Sequence, residues 1–196
     1  MRYIFIVAAV WLGLSASVKA QDFDQGLAAY QAGDYEAALA EWRRLAEQGN
    51  ANAQYNLGYL YDTGTGVPQD YAEAVRWFRL AAEQGNVQAQ FNLGVMYNFG
   101  DGVPEDYAEA VRWYRLAAEQ GMTQAQINLG LMYGSANAVS RDYVAAHMWL
   151  NLAVANGHYH GVDVRDEFAE QMTPEQIAEA QRRARTCLDS NYTYCD

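Results

Sequence analysis

The stretch "DYAEAVRWFRLAAEQGN" occupies residues 70–86, and "DYAEAVRWYRLAAEQGM" occupies residues 106–122. The two differ only where Phe78 becomes Tyr114 and Asn86 becomes Met122. Working outward from this pair, the chain repeats in steps of 36 residues. "ANAQYNLGYLYDTGTGVPQDYAEAVRWFRLAAEQGN" fills 51–86, "VQAQFNLGVMYNFGDGVPEDYAEAVRWYRLAAEQGM" fills 87–122 and "TQAQINLGLMYGSANAVSRDYVAAHMWLNLAVANGH" fills 123–158. No gap is needed. A period of this length marks stacked supersecondary units, each of which buries its apolar face against its neighbours.

Each unit reads as two helices. In the first, Ala53, Leu57, Leu60 and Tyr61 fall on one helical face. Gly58 interrupts this helix and recurs as Gly94 and Gly130. A mid-helix glycine costs about 1 kcal/mol relative to alanine, and close approach of the partner helix would offset it. The turn "DTGTGVPQD" supplies Gly64, Gly66 and Pro68 as breakers. Asp70 with Glu73, and Asp106 with Glu109, have the spacing of capping boxes opening the second helix. Ala74, Phe78, Ala81 and Ala82 form that helix's apolar stripe, and Gly85, Gly121 and Gly157 stand where a left-handed C-terminal cap belongs.

The ends differ from the middle. Residues 21–50 end in "AEQGN" like their neighbours but have a short Gly33-Asp34 turn, and Trp42 aligns with Phe78. This is the expected N-terminal capping repeat. Residues 159–196 are the expected C-terminal cap. There "YHGVDVRDEFAEQM" continues as helix, and Thr173-Pro174 opens a last helix with Gln176 at the capping-box position. Arg182, Arg183 and Arg185 are placed to complement that helix's dipole. Cys187 and Cys195 are the only cysteines and are expected to form a structural disulfide; their spacing matches neither C-x-x-C nor a zinc pattern.

Residues 1–20, "MRYIFIVAAVWLGLSASVKA", have a basic start, an apolar run from Ile4 to Leu14 and small residues at Val18 and Ala20. This is the pattern of a cleaved signal peptide, with Gln21 as the mature start. The run is short for a bilayer span, and no cysteine stands at the cut to carry a lipid. The expected product is exported, periplasmic or secreted. Loss of Arg2 and Lys19 would leave 11 basic residues against 24 acidic ones, a net charge of −13. That balance disfavours nucleic acid and anionic lipid as partners. Lys19 is the only lysine in the chain, so the mature form would lack the amine of a P-loop, a Schiff base or an S-x-x-K pair.

The pattern A-x-x-x-L-G-x-x-Y, then G-x-G-V-P-x-D-Y-x-x-A, then W-x-x-x-A-A-x-x-G resembles the Sel1-like repeat, a longer-turn relative of the tetratricopeptide repeat. Residues 51–86 and 87–122 match nearly throughout. The third repeat departs, with Ala136, Ala138 and Ser140 in place of Gly100, Gly102 and Pro104, and Ala145 in place of the capping glutamate. The resemblance implies an all-α protein, a right-handed α-solenoid of stacked antiparallel helix pairs. It implies a non-catalytic adaptor of the bacterial envelope that binds another protein in the concave groove of the array. No cofactor or metal is expected.

Opposite the buried stripe of each first helix lie Asn52, Tyr55, Tyr59 and Asp62, then Gln88, Phe91, Val95 and Asn98, then Gln124, Ile127, Leu131 and Gly134. By the resemblance these line the groove, giving an aromatic and aliphatic centre with amide edges, suited to an extended peptide or helix. Two readings fit Tyr55, Phe91 and Ile127: groove lining, or packing between repeats. Two also fit Asn56, Asn92 and Asn128: binding a ligand backbone, or satisfying a buried turn.

Other chemistry is thinly supported. His158, His160 and Asp163 form no recognised metal motif, and His147 reads as structural. The turns lack calcium-loop order, and no G-x-S-x-G elbow is present. Trp77, Trp113 and Trp149 recur at the repeat period and read as packing residues rather than a sugar-stacking platform. The alternatives to a scaffold are an enzyme acting on cell-wall or β-lactam substrates, as proposed for cysteine-rich relatives whose cysteine pair in each repeat is missing here, and a peptidoglycan-binding module.

Overall fold

A computed structural model of the chain describes residues 23–135, 141–159 and 161–195. The expected signal peptide, the third-repeat positions Ala136, Ala138 and Ser140, and His160 lie outside the described residues. The described chain contains α-helices and no strand. It divides into two compact units, one ending at Asn86 and the other beginning at Val87.

The first unit holds α1 (23–31), α2 (Tyr35–Glu47), α3 (Ala51–Thr63) and α4 (Tyr71–Glu83). Its core is built from Ala38, Trp42 and Leu45 of α2, Ala53, Leu57 and Leu60 of α3, and Trp77 of α4. The second unit holds α5 (Val87–Phe99), α6 (Tyr107–Ala118), α7 (Thr123–Gly134), α8 (Tyr143–Ala155), α9 (Gly161–Ala169) and α10 (Pro174–Asp189). Its core runs from Ala110 and Tyr114 of α6 through Leu129 of α7 and Trp149 of α8 to Ala180, Ala184 and the cysteine pair. Consecutive helices within each 36-residue repeat form the closest-packed pairs: α3 with α4, α5 with α6 and α7 with α8.

The helix-interrupting glycines are points of close approach. A methyl on Gly58 would lie 2.7 Å from the Phe78 ring, one on Gly94 2.5 Å from Tyr114, and one on Gly130 2.6 Å from Leu150. Gly26 stands in the same relation to Trp42, at 2.6 Å, so Trp42 does take the place of Phe78 in the opening hairpin. At the helix ends, Gly85, Gly121 and Gly157 have φ of +88°, +83° and +90°, the left-handed region expected of them.

The capping boxes on α4 and α6 are only half formed. Asp70 accepts from the Glu73 amide, and Asp106 from the Ala108 and Glu109 amides. The glutamates do not reach back; Glu73 pairs with Arg76 and Glu109 with Arg112. The reciprocal bond is replaced, because the aspartate amides donate across the turn to the preceding helix. Asp70 donates to the Tyr61 carbonyl at 2.9 Å, Asp106 to Tyr97 at 2.9 Å and Asp142 to Tyr133 at 2.8 Å. Asp142 therefore caps α8, accepting from Ala145 at 2.9 Å, although the capping glutamate is absent.

A second recurring bond joins the end of each repeat to its beginning. Gln84 donates to Gln54, Gln120 to Gln90 and Asn156 to Gln126, at 2.7, 2.8 and 3.0 Å. The acceptor glutamines are buried. Gln54 and Gln126 also donate to the carbonyls of Ala46 and Ala118, near the ends of the helices before them.

At the C-terminus, α9 packs on α8, and α10 opens with the full capping box of Thr173 and Gln176. The expected dipole role for its arginines fails. The helix extends to Asp189, so its last turn holds no basic residue, and Arg182 and Arg183 both bond Glu179 instead. Cys187 and Cys195 are joined in a disulfide with Cα atoms 4.4 Å apart. The bond ties the tail back to α10, where Tyr192 exchanges hydrogen bonds with Asn156.

Candidate functional site

The outward face of α3 belongs to the first unit. Tyr59 is 38% exposed at its centre, because it lies opposite Leu57 and Leu60 on the helix wheel. Asn52 is exposed and accepts from the Asn86 side chain at 3.2 Å, fastening the hairpin's far end. Asp62 is half-buried. Tyr55 is also half-buried, with its ring centred 5.8 Å from Phe78. Burial raises the Tyr55 phenol above its ordinary value, so it stays protonated at neutral pH. Its ring contacts the second helix of its own repeat.

In the second unit, Gln88 and Gln124 are exposed at the starts of α5 and α7. Phe91 repeats the arrangement of Tyr55, its ring centred 5.7 Å from Tyr114. Val95 packs against the core cluster, and Ile127 is half-buried. Leu131 is 42% exposed. Gly134 does not line a groove. It is buried, and the place of its missing side chain is filled by the Phe168 ring of α9.

A cavity of about 600 Å³ opens beside Leu131. Asn98 and Phe99 end α5 on one wall, and Glu105 and Tyr107 follow from the turn into α6. Tyr114 and Asn128 form its floor, and Phe168 closes the side contributed by α9. Phe99 is 67% exposed, an unusual state for so large an apolar ring. The Tyr107 phenol is raised above its ordinary value, chiefly by its hydrogen bond with Glu105. Tyr114 is pushed up to about 12 by burial, against a smaller lowering from its hydrogen bond with Asn128. Both phenols are therefore neutral hydrogen-bonding groups at physiological pH.

Of the expected groove residues, only Asn98 and Leu131 line this cavity. Phe99, Glu105, Tyr107 and Phe168 were not anticipated as site residues. Comparison between repeats carried a signal for two of them: Phe99 replaces Thr63, and Glu105 replaces Gln69. In the first repeat Gln69 donates to the Asp62 carbonyl and to the Tyr71 hydroxyl. A carboxylate cannot donate that first bond, so the change puts an acceptor where the earlier repeat has a donor.

The candidate catalytic features lead elsewhere. His147 is buried and bonded to Asn151, and its pKa is lowered by burial and by Arg165. Among the described residues no three His, Cys, Asp or Glu side chains cluster to hold a metal. Trp77, Trp113 and Trp149 are buried, the first two under the guanidinium groups of Arg76 and Arg112.

Comparison with known proteins agrees with this architecture. The family model for the Sel1 repeat matches residues 51–86, 87–122 and 123–158. A Sel1 repeat protein from Oxalobacter formigenes superposes with a TM-score of 0.65 at 36% identity, over 71% of this chain and 56% of that one. A protective antigen present in uropathogenic Escherichia coli strains, displaying an SLR fold, superposes with a TM-score of 0.61 at 30% identity, over 89% of this chain and 46% of that one. The chain thus spans about half the length of these two structures. No curated protein sequence matches it significantly. Three consecutive 36-residue matches, on a chain whose described residues are all-helical and whose hairpins share recurring bonds, make this an α-solenoid that belongs to the Sel1 repeat family.

Proposed function

We propose that the chain is a non-catalytic protein–protein interaction scaffold of the bacterial cell envelope, exported by residues 1–20 and binding a partner polypeptide along the outward faces of its first helices. The observation that carries this reading is one exposed anchor in each unit, Tyr59 in the first and Leu131 in the second. Each is a large apolar side chain left exposed at the same place in its repeat. Such anchors suit an extended peptide or an amphipathic helix. Asn52, Gln88 and Gln124 would form polar edges, with Tyr55, Phe91, Val95 and Ile127 as the half-buried bed and Asp62 and Asn98 at the helix ends. Residues 21–50 and 159–196 serve as the caps of the array. The disulfide suits an oxidising compartment, and among the described residues no helix is long and apolar enough to cross a membrane.

The test is affinity capture. Tagged protein and a Tyr59→Asp/Leu131→Asp variant are incubated with periplasmic extract from the source cells, and bound proteins are identified by mass spectrometry. Leu131 is the better probe than Val95, whose side chain supports the core. Circular dichroism first establishes that the variant is folded. A polypeptide retained by the wild type and lost by the variant supports the reading, and an identical catch overturns it. Hydrolysis of nitrocefin above a heat-killed control would overturn the non-catalytic part.

A further inference from the structure

The cavity beside Leu131 is not a product of repetition. Five of its lining residues come from the repeat 87–122, and four of these, Asn98, Phe99, Glu105 and Tyr114, differ from their counterparts Asp62, Thr63, Gln69 and Phe78. The changes share a direction. A ring replaces a hydroxyl at 99, and a carboxylate replaces an amide at 105. The carboxylate at position 62 becomes an amide at 98, so negative charge moves to Glu105. Glu105 is the only charged side chain among the described residues lining the cavity. It is exposed and lines the cavity beside Phe99 and Tyr107.

Rings from Phe99, Tyr107 and Phe168 around a mouth that carries one carboxylate form an environment for a cation. Aromatic faces attract positive charge through their quadrupole, and the carboxylate adds a direct ion pair. The rest of the chain favours the same sign, with 24 acidic residues against 13 basic ones. A neutral apolar side chain would leave Glu105 unused. An anionic one would meet it as a like charge.

We infer that this cavity receives a cationic side chain, arginine or lysine, of the bound polypeptide. This rests on the proposal that the chain binds a polypeptide. An arginine suits the lining best, because its planar guanidinium stacks on rings while forking onto a carboxylate. The molecule already stacks Arg76 on Trp77 at 4.2 Å and Arg112 on Trp113 at 4.0 Å.

The test is a titration followed by ¹H–¹⁵N NMR, with acetyl-arginine amide as the probe and acetyl-citrulline amide, its uncharged isostere, as the control. Glu105→Gln and Phe99→Thr are the variants. Each copies the residue of the preceding repeat, Gln69 or Thr63, so the fold tolerates both. The expected result is a set of shifts centred on Phe99, Tyr107 and Asn128 for the arginine probe. Binding should be about tenfold weaker for citrulline, and for either variant with arginine. Equal binding of both probes, insensitivity to both variants, or shifts centred elsewhere would overturn the inference. A partner capture lost on Tyr59→Asp/Leu131→Asp but unchanged by Glu105→Gln and Phe99→Thr would also overturn it, while leaving the scaffold reading intact. The converse, specific arginine shifts with no polypeptide captured, supports the cation site and overturns only the partner.

Discussion

Gly94→Ala should destabilise the protein, although alanine is the better helix former. In an open helix the change would stabilise by about 1 kcal/mol. Here the new methyl would stand 2.5, 2.6 and 2.9 Å from three atoms of the Tyr114 ring, closer than real contacts come. The ring has little freedom to retreat. It is 1% exposed and lies against Phe91. Overpacking a site this constrained costs about 3 kcal/mol, leaving a net loss of about 2 kcal/mol. For a chain of this size that lowers the melting temperature by about 4–8 °C, read by circular dichroism. In a Tyr114→Ala background the obstruction is gone, so adding Gly94→Ala should be neutral or stabilising by up to about 1 kcal/mol. Gly85→Ala is the contrasting control. Nothing lies within 4 Å of its added methyl, but its φ is +88°, so its cost of about 1–2 kcal/mol is conformational. A neutral or stabilising Gly94→Ala in the wild-type background, or a loss that persists without the Tyr114 ring, would refute the close-approach account.

Two further outcomes test other parts of the structure. The Glu179 carboxyl is pulled down to about 2 by hydrogen bonds from Arg182 and Arg183. A depressed folded-state value means its contribution is complete above the ordinary value of 4.5 and is lost as pH falls through about 2. In urea unfolding followed at a series of pH values, Glu179→Gln should therefore be less stable than wild type at neutral pH, with the gap closing toward pH 2. Gln126→Ala removes the donor to the Ala118 carbonyl and the acceptor for Asn156 at a fully buried position. It should cost about 1–3 kcal/mol, measured by the same denaturation; no change would show that solvent replaces both bonds.

Much of the fold was legible because periodicity states it three times. The buried stripes, the close-approach glycines and the left-handed caps each follow from local rules applied at fixed spacing. What escaped reading depended on tertiary neighbours. The capping-box pattern at Asp70 and Glu73 is correct in spacing, but the reciprocal bond is pre-empted by the Tyr61 carbonyl across the turn. Arg182 and Arg183 were read against a helix end that lies a turn further on, at Asp189. The buried glutamines resemble surface residues in sequence, since only the packed hairpin shows what Gln54, Gln90 and Gln126 accept from. The cavity needed α9 in place, because Phe168 both closes it and covers Gly134. On the outward face of the first helices, helical spacing alone does not separate the exposed Tyr59 and Leu131 from the half-buried Val95, whose contacts come from other helices.

Two of the fastenings of each hairpin are internal to its own 36 residues. Asp70 to Tyr61 and Gln84 to Gln54 both fall within 51–86, Asp106 to Tyr97 and Gln120 to Gln90 within 87–122, and Asp142 to Tyr133 and Asn156 to Gln126 within 123–158. An in-frame duplication of one such segment therefore copies its hinge pins along with its helices. Unequal recombination between the coding stretches for the near-identical segments 70–86 and 106–122 would lengthen or shorten the array by whole cassettes while leaving both of these bonds intact in each. Array length is a quantity that heredity can adjust separately from the chemistry written on each cassette, and Thr63 against Phe99 is a difference between cassettes that leaves both fastenings in place.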